Sequence, residues 1–333
     1  MFIYIVLLIS VLCFLPFKKN IFTYSILFLI LFTLSAFRGL SVGGDTLIYK
    51  DFFENPSIGL INVKSTEWGW YLLNLFIYEF TGSYRVLLIV SSFLVLFPVF
   101  FTAYKYTKYP HFVVILYVLL YFYLFSFCFI RQLIAISILF LAYVLYGEEK
   151  DYKKCCLLIL LAMTFHTSSV LAFSIFIIHR IKLSKMFGAF LMIASYFLGR
   201  MNILPTLLTV LGINELNNYD VAGDTRFTFT GFLLTLYLSF LLLVVDSKTI
   251  YLKILILGVV LLNIFAFTSN MTRVCWSFLI IQVLFFTIIT IKSKNEKYVL
   301  LIKMSFLLYA ILNYIQFILA DQGKILPYNF SIE

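Results

Sequence analysis

Four arginines and one histidine interrupt apolar stretches of this 333-residue chain, and their types define the chemistry to look for. Arg38 precedes a glycine-rich polar turn that carries Gly43, Gly44 and Asp45 and leads on to Tyr49. Arg131 stands beside Gln132 in FCFIRQLIAISILF, and Arg273 lies in TSNMTRVCWSFLI. Arg226 follows Gly223 and Asp224 and precedes FTFTGFLL. A guanidinium offers a planar fork of donors that fits oxygen-rich anions, diphosphates included. The same forks equally suit Asp45, Glu67 and Asp224 as ion-pair partners, and residue order does not choose between these uses. Each arginine also has a plainer use as an interfacial anchor or a packing element. His166 breaks the apolar run LAMTFHTSSVL. It suits either a hydrogen bond between helices or acid–base work on a hydroxyl.

Several chemistries lack their motifs. There is no HExxH metal pattern and no GxxxxGK[ST] phosphate loop, so neither a metal nor a nucleotide cofactor is expected. Cys13, Cys128, Cys155, Cys156 and Cys275 sit in or beside apolar segments without disulfide or metal spacing, and read as small hydrophobes. His111 and His179 fall near expected span ends and carry less interest.

The elements that must position these residues are set by hydropathy. With 63% hydrophobic and only 12% charged residues, the chain cannot cover a soluble core of this length with polar surface. Segments such as IFTYSILFLILFTLSAF lack the two-residue alternation of a membrane β-barrel. The expectation is an all-α fold, a polytopic integral membrane helical bundle with about ten to twelve transmembrane segments and an outward-facing substrate cavity. Residues 1–333 are expected to form a single integral membrane domain. The predicted spans are 2–17, 21–37, 84–104, 110–128, 130–147, 186–200, 229–246, 250–269, 272–291 and 298–318. The N-terminal run reads as a first span and not as a cleaved leader. Residues 67–80 are short for a crossing, and 155–178 are broken by polar residues. Such segments often line a protein interior.

Net charge is +10, and its lysines cluster in short loops: Lys18–Lys19, Lys105–Lys108, Lys150–Lys154, Lys248–Lys253 and Lys292–Lys297. The positive-inside rule places these on the cytoplasmic face and makes 38–66 and 201–228 outer loops. The basic charge is thereby read as topology control and contact with membrane lipids, not nucleic-acid binding. The scheme holds only if 67–80 is re-entrant or interfacial, and if 155–178 turns back or contains two short segments.

Taken in order, the polar islands form a pattern. Arg38 before Val42–Gly43–Gly44–Asp45 and Tyr49, then Arg131–Gln132–Leu133–Ile134–Ala135, then Phe165–His166–Thr167–Ser168, resemble motifs of the EpsG family of bacterial polysaccharide-biosynthesis membrane proteins, which is similar to Wzy-type polymerases. Arg226, Arg273 and the terminal Pro327–Tyr328 extend the resemblance over roughly 30–330. Gly44, Thr46 and Phe227 depart from the residues family members often carry at those positions.

The resemblance implies a glycosyltransferase at the outer face of the bacterial cytoplasmic membrane, acting in O-antigen, capsule or exopolysaccharide synthesis. Its substrates would be undecaprenyl-diphosphate-linked oligosaccharides, and its partners a chain-length regulator and a flippase. On this reading Arg131 and Arg273 contact the diphosphate leaving group, with Asp45 or His166 acting on the acceptor hydroxyl. Arg38, Tyr49, Gln132, Arg226 and Tyr328 would contact substrate. Two other classes fit the same residues: a transporter or flippase of lipid-linked sugars, and a membrane acyl or glycosyl transferase acting on an envelope glycan.

Overall fold

The computed structural model is all-α and describes residues 1–55, 67–201, 225–244, 250–266, 269–284, 287 and 296–331. The chain forms two compact units. One comprises Met1–Val170, Phe286–Ile291 and Asn295–Glu333, and the other Leu171–Phe285 and Lys292–Lys294.

In the first unit the helices are α1 (Phe2–Leu12), α2 (Ile21–Ala36), α3 (Thr46–Glu54), α4 (Trp68–Thr81), α5 (Tyr84–Tyr106), α6 (Pro110–Leu119), α7 (Phe122–Phe125), α8 (Ile130–Glu149) and α9 (Tyr152–Phe165). Their boundaries follow local chemistry. Asn20 caps α2 by accepting from the Phe22 and Thr23 amides, and Asp151 caps α9 by accepting from Lys154. Pro110 occupies the first turn of α6, where its missing N–H costs nothing. Gly82 ends α4 in the left-handed conformation. The expected span 110–128 is interrupted: α6 stops at Leu119 and Tyr121 turns to φ 57°.

The second unit contains α10 (Ser174–Arg180), α11 (Lys185–Arg200), α12 (Thr225–Val244), α13 (Ile250–Ile264) and α14 (Ser269–Leu279). Its α11 packs on α12 and α13. Asn263 ties these three helices together, its amide donating to Met192 O, Ser195 Oγ and Thr235 Oγ1 at 3.2, 3.1 and 2.9 Å. The C-terminal helix of the first unit is α15 (Glu296–Leu319).

Three of the described helices are both long and apolar enough to cross a membrane: α5, α8 and α15, of 23, 20 and 24 residues. At about 1.5 Å per residue each reaches the roughly 30 Å of a hydrocarbon core. Shorter apolar helices cover Phe2–Leu12, Ile21–Ala36, Pro110–Leu119, Gly231–Phe240, Ile250–Ile264 and Thr272–Leu284. α8 is the buried centre of the first unit, packed between α5 and α9, and α2 packs on the outside of α5.

The first unit has two chemically distinct ends. At one, the Lys19 ammonium donates to Tyr104 O, Lys105 pairs with Glu149 at 2.8 Å, and Lys154 pairs with Asp151 at 3.0 Å. At the other, Arg85 donates to Ala36 O and Arg38 O at 3.0 and 2.9 Å, and Tyr84 donates to Thr46 O at 3.0 Å. Both ends of α4 stand at this second end: Glu67 reaches Arg131 and His166 there, and only Gly82 and Ser83 separate α4 from Tyr84. At 14 residues α4 is shorter than the helices long enough to cross a membrane. Residues 155–178 contain two helical pieces, α9 and α10, separated at His166 by a 3-10 turn over Thr167–Phe173. The expected loop 38–66 is described to residue 55 and includes α3. Of the expected loop 201–228, residues 202–224 lie outside the described residues, Asp224 among them.

Candidate functional site

The residues with chemical potential in the first unit meet where α8 begins and α9 ends. Arg131 lies in the first turn of α8. His166 ends α9 in an extended conformation, φ −154° and ψ 115°, so its ring leaves the helix where the helix stops. Its N–H donates to Ala162 O and its carbonyl accepts from Ser169 N, both at 3.0 Å. α4 comes close to α9 because Gly69 has no side chain: a Cβ there would lie 2.3 Å from Thr164 Oγ1. That approach delivers Glu67, the residue before α4, to both groups.

Glu67 joins the site together. Its side chain is only 7% exposed, while those of Arg131 and His166 are 35% and 27% exposed. Arg131 Nη1 donates to Glu67 Oε2 in an ion pair. Glu67 Oε1 lies 2.9 Å from His166 Nδ1. The Thr167 N–H also donates to the carboxylate. Burial by itself pushes the Glu67 pKa up, but the His166 hydrogen bond and the Arg131 charge outweigh it and hold the carboxyl below its ordinary range. Glu67 is therefore an anion with its charge compensated, and the two groups it holds keep exposed surface.

Tyr49 extends the cluster. It is buried on α3, hydrogen-bonded to Arg131, with its ring centroid 5.7 Å from the guanidinium carbon. Burial pushes its phenol up to about 12, so it stays a neutral hydroxyl. Trp70 packs edge-on against it at 5.4 Å. Asp45, half-buried at the head of α3, is close enough to act electrostatically on Tyr49. Gln132 is buried next to Arg131 at the start of α8.

Arg38 has a different setting from Arg131. It is 1% exposed, and its donors face backbone carbonyls: Nη1 to Ser35 O at 2.5 Å and Nη2 to Phe127 O at 3.5 Å. Its guanidinium also lies 5.2 Å from the Phe127 ring centroid. Burial lowers its pKa, opposed by the surrounding tyrosines Tyr84, Tyr123 and Tyr328.

Tyr328 belongs to a C-terminal strap that closes over this region and donates to Leu34 O at 2.9 Å. The strap pairs with the glycine-rich turn through Gly39 N to Asn329 O, Gly43 N to Lys324 O and Gly44 N to Gly323 O, at 2.9, 3.0 and 2.9 Å. Gly43, at φ 96°, is needed there, since a Cβ would sit 2.2 Å from Phe127 O.

The structure thus brings Arg131, His166 and Tyr49 into one cluster, with Asp45 and Gln132 beside it and Arg38 and Tyr328 in the scaffold behind. Arg273 is half-buried in α14 and Arg226 stands in the first turn of α12, both in the second unit. Glu67 was foreseeable only as one of three carboxylates able to pair with an arginine. A signal was present, because a lone acidic residue heading a short apolar segment needs a compensating partner.

A sequence profile described as the EpsG family matches residues 21–330. No curated protein and no solved structure matches the chain. The matched range takes in every motif arginine, His166, Glu67 and the C-terminal strap up to Phe330. With nearly its whole length matched and three helices able to span a bilayer, the chain belongs to the EpsG family of membrane proteins.

Proposed function

We propose that this protein is a polysaccharide polymerase that joins undecaprenyl-diphosphate-linked oligosaccharide repeat units at the outer face of the cytoplasmic membrane. The observation that carries the reading is the gathering of Arg131 and His166 on one buried carboxylate, at the end of the first unit opposite Lys19, Lys105 and Lys154. The positive-inside rule assigns the lysine end to the cytoplasm and the cluster to the outside. Family membership points to lipid-linked sugars as substrates. The remaining apolar segments, α1, α2 and the helices of the second unit, complete a many-span protein of about ten to twelve crossings.

In this reaction the donor glycan leaves undecaprenyl diphosphate and its anomeric carbon is taken by a hydroxyl of the acceptor repeat. The donor already carries a good leaving group, so the protein's task is to steady charge developing on the diphosphate and to accept the hydroxyl proton. Arg131, half-exposed and aimed by Glu67 and Tyr49, is the diphosphate contact. His166 is the proton acceptor, and Asp45 and Gln132 orient sugar hydroxyls. Arg38 and Tyr328 act indirectly, by holding the glycine-rich turn and the strap. Arg226 and Arg273 are proposed as further anion contacts on their motif positions alone.

The test is purified protein in nanodiscs with synthetic undecaprenyl-diphosphate-linked repeats and no nucleotide sugar. Longer glycans should form with matching release of undecaprenyl diphosphate. Folded protein that leaves matched repeats unextended rules the reading out. Movement of the repeat across the bilayer without bond formation marks a transporter instead, and a transferred acyl group or single sugar seen by mass spectrometry marks a modifying transferase.

A further inference from the structure

We propose that Glu67 is a positioning residue that fixes His166 in the tautomer with its proton on Nδ1, so that Nε2 faces the site as the proton acceptor. The tautomer follows from the bonding. An ionised carboxylate can only accept hydrogen bonds. Glu67 Oε2 already accepts from Arg131, and Oε1 lies 2.9 Å from His166 Nδ1. A hydrogen bond at that distance needs the proton on Nδ1. In the neutral ring Nε2 then holds a lone pair, and it has no hydrogen-bond partner among the described residues. Among the described residues, the charged group against the ring is Glu67 from the head of α4, with Arg131 of α8 joined to it through Glu67 and Tyr49 of α3 through Arg131. A histidine side chain in water favours the opposite tautomer, so the carboxylate reverses the intrinsic preference.

The base role given to His166 rests on the polymerisation reading, whereas the tautomer does not. In that reaction the acceptor oxygen forms its bond to the anomeric carbon while the bond to the diphosphate oxygen breaks. The bonding pair leaves on the phosphate, and the hydroxyl proton moves to Nε2. The imidazolium so formed lies against the Glu67 anion, and Arg131 faces the departing diphosphate from the other side of the same carboxylate. One buried carboxylate thereby orients the base and the leaving-group contact together. It touches neither substrate, which is why it acts through its neighbours and is not itself a catalytic residue.

The experiment is nitrogen NMR of the full-length protein in nanodiscs with ¹⁵N-labelled histidine. The chain has three histidines, and comparison with His166→Gln assigns the signal. Neutral wild-type His166 should show a protonated Nδ1 and a bare Nε2. A wild-type ring protonated on Nε2 overturns the proposal, whatever any variant does. Glu67→Gln should raise the Nε2–H share and slow polymerisation about 100-fold, the scale of a positioned acid or base. Glu67→Asp, which keeps the charge, should recover part of both. An unchanged tautomer in folded Glu67→Gln also overturns it. Failure of the wild-type protein to extend repeats counts against the polymerase reading alone and leaves the tautomer result standing.

Discussion

Arg38 is 1% exposed and Arg131 keeps 35% of its side chain exposed, so the same substitution has unlike consequences at the two positions. Arg38→Ala removes the donors from Ser35 O and Phe127 O and leaves a void among Tyr84, Tyr123 and Tyr328. Phe127 O keeps the Thr46 hydroxyl as a donor at 3.3 Å, whereas Ser35 O loses its side-chain donor, and a buried carbonyl left without a partner costs about 1–3 kcal/mol. The expected result is a lower melting temperature and less protein in the membrane. Arg131→Ala takes one of two charged partners from the buried Glu67 carboxylate, so its melting temperature should fall as well, but at equal membrane protein levels, read by gel, it should still shorten the polymer. Wild-type polymer from that variant removes Arg131 from the proposed site. The Glu67 carboxyl gives a pH prediction of definite sign. Its pKa is lower in the folded protein than the ordinary 4.5. The charged form is therefore favoured by folding, and the stabilisation is complete above about 4.5 and lost as pH falls through the folded value. Melting temperature should drop more steeply below pH 4.5 in wild type than in Glu67→Gln, and parallel curves contradict the assignment.

Elements were legible to the extent that side chains announce them. The shortness of 67–80 and the polar break at 155–178 both marked departures from simple crossings, and α4 and the His166 break are what stand there. The stop at Leu119 was not legible, because 110–128 is apolar throughout and the turn at Tyr121 is set by packing and not by a glycine or proline. The strap was hidden for another reason. Residues 323–330 meet 38–44 mainly through backbone amides and carbonyls, which leave no residue-type signature. Its visible traces are Pro327–Tyr328 in the strap and, facing it, Gly39, where a Cβ would meet Asn329, and Gly43. Gly43→Ala would force a side chain into a positive-φ site, a strain of about 1–3 kcal/mol, and drive Cβ against Phe127 O. The variant should loosen the strap, seen as faster amide exchange at Gly39, Gly44 and Lys324. Protection equal to wild type would show that the turn tolerates a side chain.

At the scale of the whole chain, the exposed apolar faces and the two ends of the first unit make one argument. Phe2, Ile9, Phe22, Leu29, Leu301, Leu308 and Leu312 are exposed along α1, α2 and α15. Water would penalise such a surface, while lipid tails match it. On the proposed reading the long helices cross the bilayer, with the Lys19–Lys105–Lys154 end and the Glu67–Arg131–His166 end on opposite sides. Lys108 and Lys324 are both exposed and report on these two ends, Lys324 through its bond to Gly43. In a background with the five cysteines replaced, Lys324→Cys should react with an impermeant maleimide added to intact cells. Lys108→Cys should react only after the membrane is opened. Reaction of both from the same side would contradict the transmembrane placement of α5. Reaction with the sides exchanged would put the cluster in the cytoplasm, where the repeat units in the proposed reaction are not joined.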